Sequence, residues 1–167
     1  NGKGNGGQLA GWCMAQGEEH GYHFGGDVYQ RIELSENGLD CRIVPASDPV
    51  GEGTYNAAEF TPALIKDGEK LEDSFWTGEQ PRACFGTGDQ GIYMLIIEGR
   101  YPNEGIRGTS VNTCSDLLLS YGCRNALNMD GGSSAILWYD GEYVTQCSSS
   151  FLRYTGGRPL PNAWVYG

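Results

Sequence analysis

Residues 92–129 read IYMLIIEGRYPNEGIRGTSVNTCSDLLLSYGCRNALNM, and this stretch decides the fold. Residues 92–97 are an apolar run of strand length. Val111, Cys114, Leu117, Leu118 and Tyr121 then recur at i, i+3, i+6, i+7 and i+10, the stripe of a helix over about 110–121. Thr109 or Ser110 can cap its start, and Gly122 can end it in the left-handed conformation. Residues 126–129 form a second short apolar run. Strand, helix, strand predicts two parallel strands joined by a right-handed crossover. Ligands of such units sit beyond the carboxyl ends of the strands. Here those ends are Glu98-Gly99-Arg100 and Asn128-Met129-Asp130-Gly131-Gly132-Ser133-Ser134. If the strands lie side by side or nearly so, two carboxylates and an arginine meet at one sheet edge.

Working outward, turn signals divide the rest into short strands. Residues 29–34 and 41–44 flank Asn37-Gly38, a dipeptide suited to a hairpin turn. Residues 45–56 hold two prolines and two glycines and read as a surface connection. The apolar run 60–65 stops at Lys66-Asp67-Gly68, and 82–85 joins 92–97 through Gly88-Asp89-Gln90-Gly91. Asp140-Gly141 separates 135–139 from 143–147, and 163–166 is a final strand candidate. Residues 1–7, NGKGNGG, read as a loop. The expected class is α+β: a single domain over 1–167 with a mixed β-sheet of many short strands and at least one crossover helix.

The 167 residues suit one compact domain, which buries roughly 70% of the unfolded chain's surface. A formal net charge of −10 repels phosphate backbones and disfavours general nucleic-acid binding. The 27 glycines follow no Gly-X-Y period, which excludes collagen and instead marks many tight turns. No apolar run is long enough to span a bilayer. Six cysteines without a C-x-x-C pair argue against a zinc ribbon, and leave both free core thiols and disulfides open. His20 and His23 lie beside Glu18 and Glu19, but Gly21 breaks any helix that would align them, and no metal is assigned. Ser133 and Ser134 lie outside any G-x-S-x-G, and Gly4-Asn5-Gly6-Gly7 lacks the lysine of a phosphate-binding loop, so no cofactor is called.

The candidate chemistry sits in loops. In Asp130-Gly131-Gly132-Ser133-Ser134, an acid is followed by two glycines whose N–H groups can form an anion-binding nest. Gln80-Pro81-Arg82 and Gly156-Gly157-Arg158-Pro159 add two further guanidinium groups. Taken singly, these stretches read equally well as a Gly-Gly turn, an edge charge and a solvated loop.

Their order is what is specific. Phe60-Thr61-Pro62-Ala63-Leu64-Ile65 with Asp67-Gly68 comes first, then Pro81-Arg82-Ala83, Glu98-Gly99-Arg100, Gly108-Thr109 and Gly122-Cys123. Asn128 to Ser134 follows, then Gly157-Arg158-Pro159 running to Pro161-Asn162-Ala163. Over about 60–167 this order resembles the phosphodiester glycosidase family. Two departures stand out. The family often has three glycines after the aspartate, where this chain has two. The family also opens with a strand carrying Asn-Gly, for which only Asn1-Gly2 and Asn5-Gly6 are available here.

The resemblance implies a hydrolase that removes a sugar, N-acetylglucosamine in the family, from a phosphodiester. An extracytoplasmic or secreted location is slightly favoured, with a cytoplasmic one left open. The substrate would be a small-molecule or glycan phosphodiester. Asp130 and Glu98 are expected on the sugar side, as nucleophile or as stabilisers of the cation-like ring, with direct attack by water left open. Arg82, Arg100 and Arg158 are expected to hold phosphate. Gly131, Gly132, Ser133, Ser134, Thr109 and Asn128 would complete the substrate contacts. The competing class is a non-catalytic protein that sequesters a sugar-phosphate or nucleotide in the same pocket. An interaction domain with no pocket near Asp130 is the third.

Overall fold

The computed structural model describes residues 9–23 and 27–166. The predicted loop at 1–7, with Asn1-Gly2 and Asn5-Gly6, lies outside the described residues. A first sheet contains β1 (Trp12–Ala15), β2 (Glu18–Gly21), β3 (Gln30–Leu34), β4 (Cys41–Pro45) and β5 (Asn56–Phe60), in the order β2-β1-β5-β3-β4. A second contains β6 (Ala63–Lys66), β7 (Glu69–Lys70), β8 (Arg82–Gly88), β9 (Gly91–Ile97) and β10 (Cys123–Asn128), in the order β7-β6-β10-β8-β9. The helix α1 (Val111–Ser120) precedes β10, and a small hairpin of β11 (Trp138–Tyr139) and β12 (Glu142–Tyr143) follows it. The α+β class is therefore what the chain adopts, with sheets dominating and one α-helix among the described residues.

Side-chain alternation makes the second sheet the middle layer. Leu64, Cys84 and Ala126 pack with Val111, Cys114 and Leu118 of α1. Their strand neighbours Ala63, Phe85 and Leu127 pack with Ile32, Leu34 and Ile43 of the first sheet. All six cysteines are free thiols, four of them buried.

The helix starts where expected: the Ser110 hydroxyl accepts from the Thr113 N–H, and Gly122 follows at φ 87°. Its buried face is narrower than the predicted stripe. Val111, Cys114, Ser115 and Leu118 are buried, while Leu117 and Tyr121 are exposed, because only one side of the helix meets the sheet.

Strand adjacency also differs. β9 and β10 are not neighbours. The 89–90 turn is too short to do anything but fold β9 back along β8, and β10 takes the other edge of β8. Both are antiparallel to β8, so they run parallel to each other one strand apart.

The predicted 60–65 strand is broken at the cis Thr61-Pro62 peptide, which carries the chain from β5 in one sheet to β6 in the other. Residues 163–166 are not a strand; Trp164 instead stacks on Phe85 with ring centroids 3.8 Å apart. The hairpin arms at 135–139 and 143–147 shrink to two paired residues each around Asp140 and Gly141, both at positive φ. β1 and β2, to which no signal pointed, are short, and β2 is exposed throughout.

The outer face of the first sheet buries charge. Arg31 is fully buried; its Nε donates to Glu33 at 2.7 Å and its Nη1 to Glu59 at 3.4 Å. The Ala46 carbonyl accepts from the same Nη1 at 3.1 Å, and the Asp48 carbonyl from Nη2 at 2.8 Å. Glu33 also accepts from Arg42 Nε at 2.7 Å, Thr54 Oγ1 at 3.0 Å and Gly51 N at 3.3 Å. Burial opposes its ionisation, but the hydrogen bonds from Arg31, Arg42 and Thr54 outweigh it and hold the carboxyl below its ordinary value.

Removing one member of a buried, paired set leaves the others uncompensated. Glu33→Gln is expected to cost about 3–5 kcal/mol in urea unfolding. Because the folded pKa is depressed, this contribution is complete above the ordinary value of 4.5 and lost as pH falls through the lower folded value. Acid titration of stability should therefore be steeper in the native chain than in the variant; identical profiles would refute the assignment.

Candidate functional site

β8 organises the site because it is shared. At its start, Arg82 pairs with Ile97 of β9, and on the other side Cys84 pairs with Asn128 of β10. The Met129 N–H extends that side by donating to the Ala83 carbonyl at 2.8 Å. Glu98 and Asp130 therefore leave the same end of the sheet on either flank of Pro81-Arg82. Their chains are two strand spacings apart, about 10 Å.

Close packing at Pro81 forces glycine on both flanks. A Cβ on Gly131 would lie 2.5 Å from the Pro81 carbonyl oxygen, and one on Gly99 would lie 2.9 Å from the Pro81 nitrogen. The Gly132 N–H donates to that same Pro81 oxygen at 3.0 Å, so the glycine turn hangs on the residue before β8. Gly132 has φ +57° and opens a 3-10 turn, Gly132–Ser134.

Each predicted residue can now be placed. Arg100, itself at φ 70°, lies across this turn: its Nη atoms are 3.1 Å from where a Gly132 Cβ would sit, and its Nε donates to Gln80 Oε1 at 3.0 Å. Arg158 Nη2 reaches Asp130 Oδ2 at 3.1 Å and Ser134 Oγ at 2.5 Å, joining positions 24 and 28 residues apart. Glu98 Oε1 accepts from the Gln146 N–H at 2.6 Å. The Ser133 carbonyl accepts from the Cys147 thiol at 3.5 Å. Glu98, Arg100, Asp130, Gly131, Gly132, Ser133, Ser134 and Arg158 thus belong to one cluster of loops.

Three predicted residues support that cluster from behind. Arg82 is 4% exposed; its Nε donates to the Thr109 carbonyl at 3.0 Å, and its Nη2 to Trp76 and Gly78 carbonyls at 3.2 and 2.8 Å. Burial lowers its pKa, and its guanidinium lies 5.8 Å from the centre of the Trp76 ring. This fork is largely occupied by backbone oxygens. Thr109 enters through its main chain, exchanging two hydrogen bonds with Gln80 at 3.1 and 3.0 Å. Asn128 is 2% exposed and its Nδ2 donates to Thr61 O at 2.8 Å, which ties the end of β10 to the link between sheets. Its buried Oδ1 has no hydrogen-bond partner among the described residues.

Sequence reasoning missed the outer ring of the site. Gln146 Oε1 accepts from Arg153 Nε at 2.6 Å, and the same guanidinium grips Glu104 and lies 3.8 Å over the Tyr101 ring. The Arg153 hydrogen bonds hold Glu104 below its ordinary carboxyl value. Tyr101 Oη donates to the Cys147 carbonyl at 2.7 Å. These contacts fasten the 145–158 segment over the sheet edge. A glutamine and a tyrosine in irregular loops carry no local pattern that would reveal this.

The expected anion-binding nest is not open, because the Gly132, Ser134 and Ala135 N–H groups donate to the Pro81, Gly131 and Gly132 carbonyls. The arginines are left to hold an anion, and the exposed carboxylate can support positive charge on a neighbouring carbon. Among the described residues, no group of three or more His, Cys, Asp or Glu side chains is arranged to hold a metal ion, and no helix is long and apolar enough to cross a membrane. His23 is paired with Glu59 at 2.5 Å.

Two substitutions separate steric from ionic contributions. Gly131→Ala drives a methyl into the Pro81 carbonyl and is expected to cost about 1–3 kcal/mol in urea unfolding. Arg158→Ala removes a partly exposed ion pair and should cost under about 1 kcal/mol. The reverse ranking would contradict the packing described.

Comparison with known proteins finds a family and a fold for this chain. The sequence model of the family described as "Phosphodiester glycosidase" matches residues 6–166. The SPbeta prophage-derived uncharacterized protein YomE of Bacillus subtilis (strain 168) is 28% identical over 118 residues, covering 67% of this chain and 18% of YomE. The catalytic domain of zebrafish N-acetylglucosamine-1-phosphodiester alpha-N-acetylglucosaminidase, auto-inhibited by its pro-peptide, superposes with a TM-score of 0.62 at 16% identity. That match covers 95% of this chain and 59% of the zebrafish chain, and shows a shared fold. The chain thus spans under a fifth of the curated relative and about three-fifths of the solved one.

Proposed function

This chain belongs to the phosphodiester glycosidase family, and we propose that it hydrolyses the bond between a sugar, N-acetylglucosamine in the first instance, and a phosphodiester. The observation that carries the reading is the convergence of Asp130, Arg158, Arg100 and the Gly131-Gly132 turn at the end of β10, with Glu98 across Pro81. Such an arrangement offers carboxylates for a sugar and cationic donors for a phosphate within one cluster.

The chemistry requires little proton transfer at the leaving group. As the C1–O bond breaks, its electron pair stays on the phosphate oxygen, and the departing phosphate monoester has a second pKa of about 6. Positive charge develops on the ring, and a carboxylate beside C1 stabilises it or attacks. Water finally supplies the hydroxyl at C1, and its proton goes to a carboxylate or to solvent. Asp130 is assigned to C1 because it is exposed and aimed by Arg158. Glu98 is given the second carboxylate role, held in place by the Gln146 amide. Arg100 and Arg158 are given the phosphate, with Ser133 beside them; the Gly132 and Ser134 N–H groups are spent on the Pro81 and Gly131 carbonyls. Arg82, spent on the Thr109, Trp76 and Gly78 carbonyls, is given the task of shaping the floor.

The test is incubation with UDP-GlcNAc, with GlcNAc 1-(methyl phosphate) and with related diesters, followed by mass analysis of free sugar. Asp130→Asn is expected to lower turnover by about 10³-fold or more with the unfolding midpoint little changed. Arg100→Ala is expected to raise KM about tenfold, the worth of a charge-assisted hydrogen bond. Tight binding of a diester without any released sugar would favour a sequestering protein instead.

A further inference from the structure

The β11–β12 hairpin is rooted in the candidate site at both ends. Its outgoing arm continues from the Gly132–Ser134 turn, and its returning arm leads to Gln146, whose N–H is bonded to Glu98. Leu137 and Val144 hold the arms together: Val144 N donates to Leu137 O at 2.8 Å, and Leu137 N to Thr145 Oγ1 at 2.8 Å. Register fixes what the hairpin displays. Trp138 pairs directly with Tyr143, and Tyr139 pairs with Glu142. Side chains of directly opposed residues share one face, so Trp138 and Tyr143 stand together and Tyr139 points to the other side.

These rings are wet: Trp138 is 60% exposed and Tyr143 54%. Tyr143 also lies on the loop that carries Arg158, since a Cβ at Gly156 would overlap its ring at 2.0 Å from Cζ. The aromatic face therefore adjoins the loop whose Arg158 is bonded to Asp130. An exposed aromatic patch beside a binding site marks a ligand-binding surface. The negative face of an aromatic ring attracts the weakly positive C–H groups of a sugar, while Tyr and Trp keep a polar edge for its hydroxyls. Asp140 and Glu142, both exposed in the same hairpin, repel a polyanion.

We propose that the Trp138–Tyr143 face is a sugar-stacking subsite, and that the ligand is a neutral carbohydrate chain extending away from the scissile linkage. This deepens, and rests on, the glycosidase reading of the adjacent carboxylates. It extends the preferred substrate beyond a small diester, which the carboxylate cluster alone accommodates, to a phosphodiester whose sugar chain continues past the scissile linkage.

The probe is chitotetraose, which contains no phosphate and so reports on the platform whether or not the chain is a hydrolase. Calorimetric titration of the native chain should give saturable binding. Trp138→Ala should weaken it by about fivefold or more, the worth of one good stack. Tyr139→Ala, on the opposite face of the same hairpin, should change it less than about twofold and controls for disruption of the hairpin. Equal affinity in native chain and Trp138→Ala, equal losses in both variants, or no saturable binding at millimolar sugar would overturn the proposal. So would self-association of the native chain that Trp138→Ala abolishes, since the face would then be a protein contact. Failure to cleave GlcNAc 1-(methyl phosphate) would remove the hydrolase reading and leave the titration result standing.

Discussion

The packing of two glycine corners against Pro81 is the constraint on which the rest of the site depends. β8 is hydrogen-bonded on both edges, so the residue just before it is hemmed in by the two chains leaving β9 and β10. Gly99 and Gly131 let those chains turn tightly enough to clear the proline, and the Gly132 amide secures the second corner to its carbonyl. Every charged group of the cluster is attached to one of these corners or to a loop bonded to them. Larger side chains at either glycine would push the carboxylates apart before touching any ligand.

Behind this edge the structure spends charge on rigidity. Arg82 fastens three backbone carbonyls and so joins the loop before β8 to the start of α1. In the first sheet, Arg31 does the same for the 46–48 segment while pairing with Glu33 and Glu59. In both cases an arginine replaces regular pairing where irregular backbone must be buried, since its planar fork can satisfy several carbonyls at once. A chain this rich in glycine has few other means of holding long loops in one conformation.

Much of this was legible in the residues, and the exceptions have definite causes. The helix, its caps and the β3–β4 and β8–β9 hairpins follow local rules, and local rules suffice there. The common edge for Glu98 and Asp130 was also readable, because strand direction follows from a strand-helix-strand order even when adjacency does not. Adjacency is a competition for edges, and the short 89–90 turn decided it. The 60–65 run looked continuous because apolar character does not distinguish the faces of two sheets; Thr61-Pro62 divides it. Arg82 and Arg158 look alike in sequence, each beside a proline, but one is buried on carbonyls and the other meets a carboxylate. Only the three-dimensional neighbours separate them. The 145–158 segment was illegible because its anchors pair residues about 50 positions apart with no repeating pattern.

The bond from Gln146 to Glu98 has its donor in the main chain. Any residue but proline at position 146 keeps that donor, since proline alone has no amide hydrogen, although the Gln146 side chain also holds Arg153. The covering loop can thus exchange its outward side chains over evolutionary time while the carboxylate beneath keeps its orientation. The orientation of the carboxylate and the outward chemistry of the covering loop are carried by separable parts of the same backbone, and the second can diverge without eroding the first.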